Sequence, residues 1–228
     1  LVAALRASNI DWRIVITTAY EREQAVRERA GQLGLDAEID VFENRGRDIL
    51  PFLHVANRLL DEGVTTVLKL HGKRSTHRQD GEAWRRELLD KLLAPERASR
   101  IAAAFRDDAE LGLVHAEGHL QPLDYYWGAN QDNVDYLTRR LGIAAPDVET
   151  DSFIAGSMFW VRPAAFRPLL DAHLEMAGFE PEAGQLDGTL AHAIERVFSL
   201  AARSGGFTVK SAAGLLGLAD TVPGPYPY

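Results

Sequence analysis

Cysteine is absent from all 228 residues. That excludes disulfides and thiolate metal sites from this chain and fits a reducing, cytoplasmic address. Long apolar runs are missing too: no uninterrupted stretch approaches the ~20 residues that a membrane-spanning helix needs. Leu1 is not followed by a basic leader and an apolar run, so no signal peptide is expected within the chain. An excess of positive charge is also lacking. The 25 Lys and Arg face 33 Asp and Glu, a net charge of −8, which argues against a general nucleic-acid binder. Aromatic residues are sparse at 8%, within the range of one ordinary α/β domain, and a chain of this length needs no staples to hold a core.

Helix-like and strand-like stretches alternate, which predicts an α/β fold: a mainly parallel, Rossmann-like sheet with helices on both faces. Strands are expected over 12–17, 38–42, 65–70, 111–115, 153–161 and 207–211. Helices are expected over 21–33, 49–62, 82–93, 95–106, 134–142, 163–172 and 186–202. Pro51 falls in a first helical turn, where it is tolerated, and Gly34 and Gly63 stand just past helix ends. The stretch 118–133 reads as an aromatic loop. Leu1–Ala7 resembles the end of a helix without the strand that should precede it. The expectation is a domain over 1–218, cut from a longer protein and lacking its first strand, with a proline-rich tail or linker over 219–228.

Positive charge is clustered in this acidic chain, which suggests a local anionic ligand or a solvated loop. Asn44, Arg45, Gly46, Arg47 and Asp48 lie between a strand and a helix. Ligands of open α/β sheets sit beyond the carboxyl ends of strands, and a helix N-terminus suits phosphate. Arg45 and Arg47 could fork onto an anion, or stand in water while Asp48 caps the helix. His71, Lys73, Arg74 and Ser75 follow the third strand at the same edge. Lys73 and Arg74 are candidates for a diphosphate, and His71 for orienting or protonating a leaving phosphate, against a structural role for a loop histidine. Gly156 and Ser157 are small residues in an apolar strand that would let a ligand approach the backbone. Asp187 precedes the last long helix and is either a general base or its N-cap.

Four runs, Asn44–Asp48, Lys69–Ser75, Ala155–Pro163 and Gly184–Arg196, resemble in sequence and order the rhamnan synthesis F family, and the similarity extends from about Trp12 to Arg203. That resemblance implies a glycosyltransferase of the GT-A type, acting in rhamnose-containing cell-surface polysaccharide synthesis. By the same resemblance, Asn44–Asp48 is the donor turn, Phe153–Val161 the acceptor strand, and Asp187 the late acid that deprotonates the acceptor hydroxyl. The place of the metal-binding Asp-X-Asp reads His71-Gly72-Lys73. A hard cation wants oxygen ligands, so dependence on Mg²⁺ or Mn²⁺ stays open. Lys73, Arg74 and His71 are expected to neutralise the diphosphate instead.

The expected partners are a nucleotide-sugar donor, dTDP-rhamnose in the first instance, a glycan or lipid-linked glycan acceptor, and other domains of a longer parent. A lipid-linked acceptor would bring the domain to the inner face of the cell membrane. Trp127 and Trp160 are read either as sugar-stacking platforms on the acceptor side or as core. The rival is a non-catalytic glycan- or partner-binding module. A phosphate-ester enzyme has little support, since no glycine-rich loop ending in Lys-Ser/Thr is present.

Overall fold

The computed structural model describes residues 1–72 and 81–221. Along the chain lie α1 (Val2–Ala7), β1 (Val15–Ala19), α2 (Glu23–Gln32), β2 (Glu38–Phe42), α3 (Ile49–Asp61), β3 (Val67–Lys69), α4 (Gly81–Leu93) and α5 (Pro95–Asp107). There follow β4 (Leu111–His115), β5 (Leu120–Pro122), α6 (Leu123–Tyr126), α7 (Gln131–Leu141), β6 (Ser152–Ile154), β7 (Phe159–Val161), α8 (Arg167–Asp171), α9 (Leu190–Ser204), β8 (Thr208–Ser211) and α10 (Ala212–Leu215). None of the helices among the described residues is long and apolar enough to cross a membrane.

The fold is α/β, but its sheets are small and mixed rather than mainly parallel. A four-stranded sheet runs β3-β7-β4-β8, with β7 antiparallel to both its neighbours and β4 parallel to β8. β1 and β2 form a separate parallel pair, and β5 and β6 an antiparallel one. The departure begins at the apolar stretch 153–161, expected as one strand. It breaks at Gly156 and Ser157, whose φ angles are +86° and +48°. Both lie in the left-handed region, which a continuing strand cannot use. The first half, β6, pairs with β5, and the second, β7, enters the main sheet from the opposite direction. Continuous apolarity hides such a break, because both halves are buried.

Helices cover both faces of the main sheet, as expected. Phe159 and Trp160 are adjacent on β7 and so point to opposite faces. Phe159 packs with Phe52 of α3, Phe166 and Phe198 of α9, with ring centroids 5.9, 5.7 and 5.2 Å away. Trp160 joins Leu88, Leu92, Ile101 and Phe105 of α4 and α5, and its indole N–H donates to Leu92 O at 2.9 Å. Complete burial of such side chains contributes on the order of 2–3 kcal/mol each.

Local chemistry sets several helix ends. Pro95 begins α5 at a position where its missing N–H costs nothing. Gly142 closes α7 in the left-handed conformation, φ +65°. The start of α9 corrects the expected 186–202: Thr189 is the N-cap, in a capping box with His192, and the helix begins at Leu190. Asp187 is therefore not the cap. The stretch expected as loop over 118–133 contains β5, α6 and the first turn of α7.

Candidate functional site

The site forms where β3 ends. Lys69, the last residue of β3, is a cation inside the core, its side chain only 4% exposed. Its ammonium donates to Asp48 Oδ2 at 2.5 Å and to Ser157 O at 2.7 Å. It also stands 5.3 Å from the centre of the Phe52 ring, which attracts a cation over its face. Asp48 thus spends its carboxylate on Lys69 and makes no side-chain cap to α3. Burial alone would raise the Asp48 carboxyl; the charges of Lys69 and His71 and the Lys69 hydrogen bond outweigh it and hold the group well below the usual carboxylate range.

Two residues on, His71 Nε2 donates to Gly156 O at 2.7 Å. Gly156 N donates in turn to Glu195 Oε1 of α9 at 3.1 Å. Lys69, His71 and Glu195 together hold the left-handed corner that breaks the strand. Gly156 is not open to a ligand on its Cα face: a Cβ there would lie 2.3 Å from the Trp84 ring.

Asp187 lies in a second knot tied to the first through α9. Its Oδ1 accepts from Asn130 Nδ2 at 2.7 Å and lies 3.3 Å from Arg196 Nη2, while Oδ2 accepts from Ala129 N at 3.1 Å. Arg196 is almost fully buried and also donates to Tyr126 O and His192 O. Burial tends to raise the Asp187 carboxyl, but the Asn130 bond, the Arg196 charge and the Ala129 and Gly188 amides prevail and lower it. The carboxylate is held ionised and well oriented, and its basicity is reduced.

The arginines of the 44–48 turn are neither free in water nor open forks. Arg45 donates to Phe179 O at 2.9 Å, and Arg47 to Gln185 O, with Glu182 3.8 Å away. Gly46 and Arg47 both have positive φ, +67° and +56°. A Cβ on Gly46 would lie 2.6 Å from Leu50 Cβ and 2.9 Å from the Phe179 ring, so the turn is packed down against α3 and Phe179. Asn44 is exposed on this turn. Trp160 is core, and Trp127 is half-buried, its carbonyl accepting from Asn130. Lys73, Arg74 and Ser75 lie outside the described residues.

The structure therefore brings together Asp48, His71, Gly156 and Ser157, and joins Asp187 to them through the adjacent residues Glu195 and Arg196. Sequence reasoning gave no role to Lys69, Asn130, Glu195 or Arg196. A lysine ending an apolar strand was the one available signal, because such a charge needs a partner.

The described residues at this edge do not assemble the oxygen ligands of a divalent metal. The carboxylate that meets β3 is occupied by Lys69, and among the described residues no group of three or more His, Asp or Glu side chains gathers to bind one.

Beyond the end of β4, His119 is buried against Trp84, their rings 5.6 Å apart. Burial and the Lys91 charge push its pKa down to about 4, with His115 acting in the same direction and Glu87 and Glu117 opposing. The folded chain refuses a proton that the unfolded chain accepts near pH 6.5. The contribution of His119 to stability is therefore present above pH 6.5 and is lost as pH drops towards 4, on the order of 3 kcal/mol. Urea denaturation at pH 7.5 and at pH 4.5 should show this loss, and His119→Leu should flatten it; equal slopes for the two proteins would reject the assignment.

A mixed sheet covered by helices on both faces, with a polar cluster at the carboxyl end of β3, makes this an α/β domain with its site at a sheet edge. The chain belongs to the rhamnan synthesis protein F family, whose model matches residues 1–207. It is 53% identical over 216 residues to the uncharacterized protein WxcX of Xanthomonas campestris pv. campestris (strain B100), and equally so to WxcX of strain ATCC 33913. The match covers 95% of this chain but 31% of each relative, so the chain spans about a third of their length. No solved structure matches it.

Proposed function

We propose that this domain transfers a sugar, rhamnose in the first instance, from a nucleotide-activated donor to a growing bacterial cell-surface polysaccharide. The observation that carries this reading is the convergence of the family's motifs. Asp48, Lys69, His71, Gly156 and Ser157 meet at the end of β3, and the fourth motif reaches them through Glu195 and Arg196. In this reading the acceptor hydroxyl attacks the anomeric carbon, its proton passes to Asp187, and the bond from that carbon to the diphosphate oxygen breaks. Lys73, Arg74, Ser75 and His71 are assigned to the leaving diphosphate, whose developing charge positive groups stabilise. Arg45 and Arg47 set the shape of the donor turn through their carbonyl partners. The acceptor is a glycan, lipid-linked at the inner face of the membrane, on the Trp127 side of Asp187.

Titration calorimetry with dTDP-rhamnose, with and without Mg²⁺ or Mn²⁺, tests the donor site. Saturable binding without metal, weakened at least tenfold in Lys73→Ala, is the expected result. A folded chain that binds neither this nor other nucleotide sugars under any of these conditions would sink the transfer reading.

One observation favours a second reading, a non-catalytic glycan- or partner-binding module. Asp187 accepts hydrogen bonds on both oxygens and has a lowered pKa, as befits a residue that organises loops. Glycan binding without nucleotide-sugar binding would select this alternative.

A further inference from the structure

A second cleft lies on the same edge of the sheet as the candidate site. Its volume is about 500 Å³, within the range of small-molecule sites. Arg86, Glu87, Asp90 and Lys91 of α4, Arg97 of α5 and Glu117 line it. Glu117 stands two residues past the end of β4. β3 and β4 are both antiparallel to β7, so they run in the same direction. Both clusters therefore stand beyond carboxyl ends of strands, where ligands of α/β sheets bind.

The inner part of the cleft is tied together by charged groups. The Glu117 side chain is only 5% exposed. Its two oxygens accept from Arg97 Nη1 at 2.8 and 3.0 Å. Lys91 donates to Glu87 Oε1 at 2.5 Å and to Glu117 O at 2.7 Å, and Lys91 O accepts from Arg97 Nη1 at 3.2 Å. Apolar side chains of similar volume often hold two elements together as well as a buried ion pair does. What they could not do is offer donors and acceptors to a ligand. Arg97 makes these bonds through Nη1 alone, so among the described residues Nη2 and Nε are left to donate.

Charge balance selects the class of ligand. The lining carries three cations, Arg86, Lys91 and Arg97, against three carboxylates, Glu87, Asp90 and Glu117. Equal numbers of both signs give no net attraction for a polyanion such as a nucleotide diphosphate. The carboxylates of Glu87 and Glu117 are already paired with Lys91 and Arg97, which disfavours a bare cation. A hydroxyl donates to a carboxylate and accepts from a guanidinium or ammonium at once, and bonds to charged groups are the stronger kind. Neighbouring hydroxyls of one sugar ring match the neighbouring donor and acceptor that Arg97 and Glu117 present.

The cleft is also joined to the candidate site. Trp84 precedes Glu87 by one turn of α4, and its ring fills the space beside Gly156. His119 meets the Trp84 ring at 5.6 Å, and its Nε2 lies 3.7 Å from Glu87 Oε1. The carbonyl of His119 accepts from Ala155 N at 2.9 Å. Ala155 leads into the Gly156–Ser157 corner that Lys69 and His71 hold.

We propose that this cleft binds a neutral sugar unit of the glycan chain, away from the point of transfer. Arg97 and Glu117 supply its paired donor and acceptor, with Arg86, Glu87, Asp90 and Lys91 around them. The proposal rests on the reading that the domain handles a glycan, and it holds for a transferase and for a binding module alike.

Amide resonances of the isotope-labelled 228-residue chain, followed by NMR during titration with a linear rhamnose tetrasaccharide, test it. Saturable shifts at Glu87, Lys91, Arg97 and Glu117 are the expected result. The double variant Arg86→Ala/Asp90→Ala, which alters two exposed side chains, should weaken that binding at least fivefold, and Glu117→Gln should weaken it further. Shifts confined to residues 125–130 and Asp187 would overturn the proposal and leave the transfer reading standing. So would a tetrasaccharide that does not bind, since titration with dTDP-rhamnose still decides transfer by itself. Equal or stronger shifts of the cleft with inorganic phosphate would make it an anion site and overturn the proposal too. Tetrasaccharide bound in the cleft of a chain that binds no nucleotide sugar would uphold this inference and remove the transfer reading.

Discussion

Asp48→Ala is expected to destabilise the domain by about 3–5 kcal/mol, because it strands the Lys69 ammonium in the core without a counter-charge. For a chain of this size that is a fall of roughly 10 °C in Tm. The mirror substitution should cost less. Lys69→Met keeps the aliphatic stem against Phe52 and Phe159, and leaves behind a carboxylate that is 33% exposed and can be hydrated. The double variant Asp48→Leu/Lys69→Met should recover much of the loss, since replacing a buried pair by apolar groups of similar volume is often neutral. Urea denaturation of the four proteins forms a double-mutant cycle. Equal and additive costs for the two single changes would show that Lys69 does not rely on Asp48. The same pair adds to acid sensitivity. Since the folded state holds Asp48 below its ordinary range, its contribution is present above the unfolded pKa near 4 and is lost as pH falls below it.

Under the proposed transfer reaction, Asp187→Asn should lower the rate of sugar transfer by about 10²- to 10⁴-fold, the usual contribution of a general base, while donor affinity stays within about twofold. The substitution keeps the shape of the side chain but removes its ability to accept a proton. It also places an amide N–H₂ among donors, the Asn130 amide, the Ala129 N–H and Arg196, so some stability is lost. A lowered kcat with unchanged donor binding, in a protein that still melts cooperatively, would support Asp187 as base. A variant that transfers sugar normally, or that loses transfer only in proportion to the fraction unfolded, would make Asp187 an organiser of the 127–130 loop. The crowding there is tight: a Cβ on Gly128 would lie 1.8 Å from Asp187 Oδ2.

Local signals in the chain carried far. The strand Leu111–His115 and the strand Glu38–Phe42 were legible residue for residue, and the helices beginning at Ile49 and Pro95 from their first residues. In each case the apolar period or a flanking proline acts over a few residues, and that is the range over which propensity and capping operate. Family membership was legible for a related reason: the four motifs are contiguous runs.

What remained hidden were relations between distant positions. Nothing local tells a continuous apolar run from two buried strands joined by a corner, so the sheet was expected to be more parallel than it is. Asp48 has the sequence of an N-cap, but a buried ammonium 21 residues away competes more strongly for its carboxylate. Arg45 and Arg47 look like anion ligands until carbonyls some 135 residues later in the chain meet them. Sequence alone determined many of the elements and the family, since those follow from short-range periodicity and contiguous motifs. Only the tertiary structure decided which charges are satisfied by which partners and where β7 enters the sheet, because burying a charge or reversing a strand is settled by what folds against it.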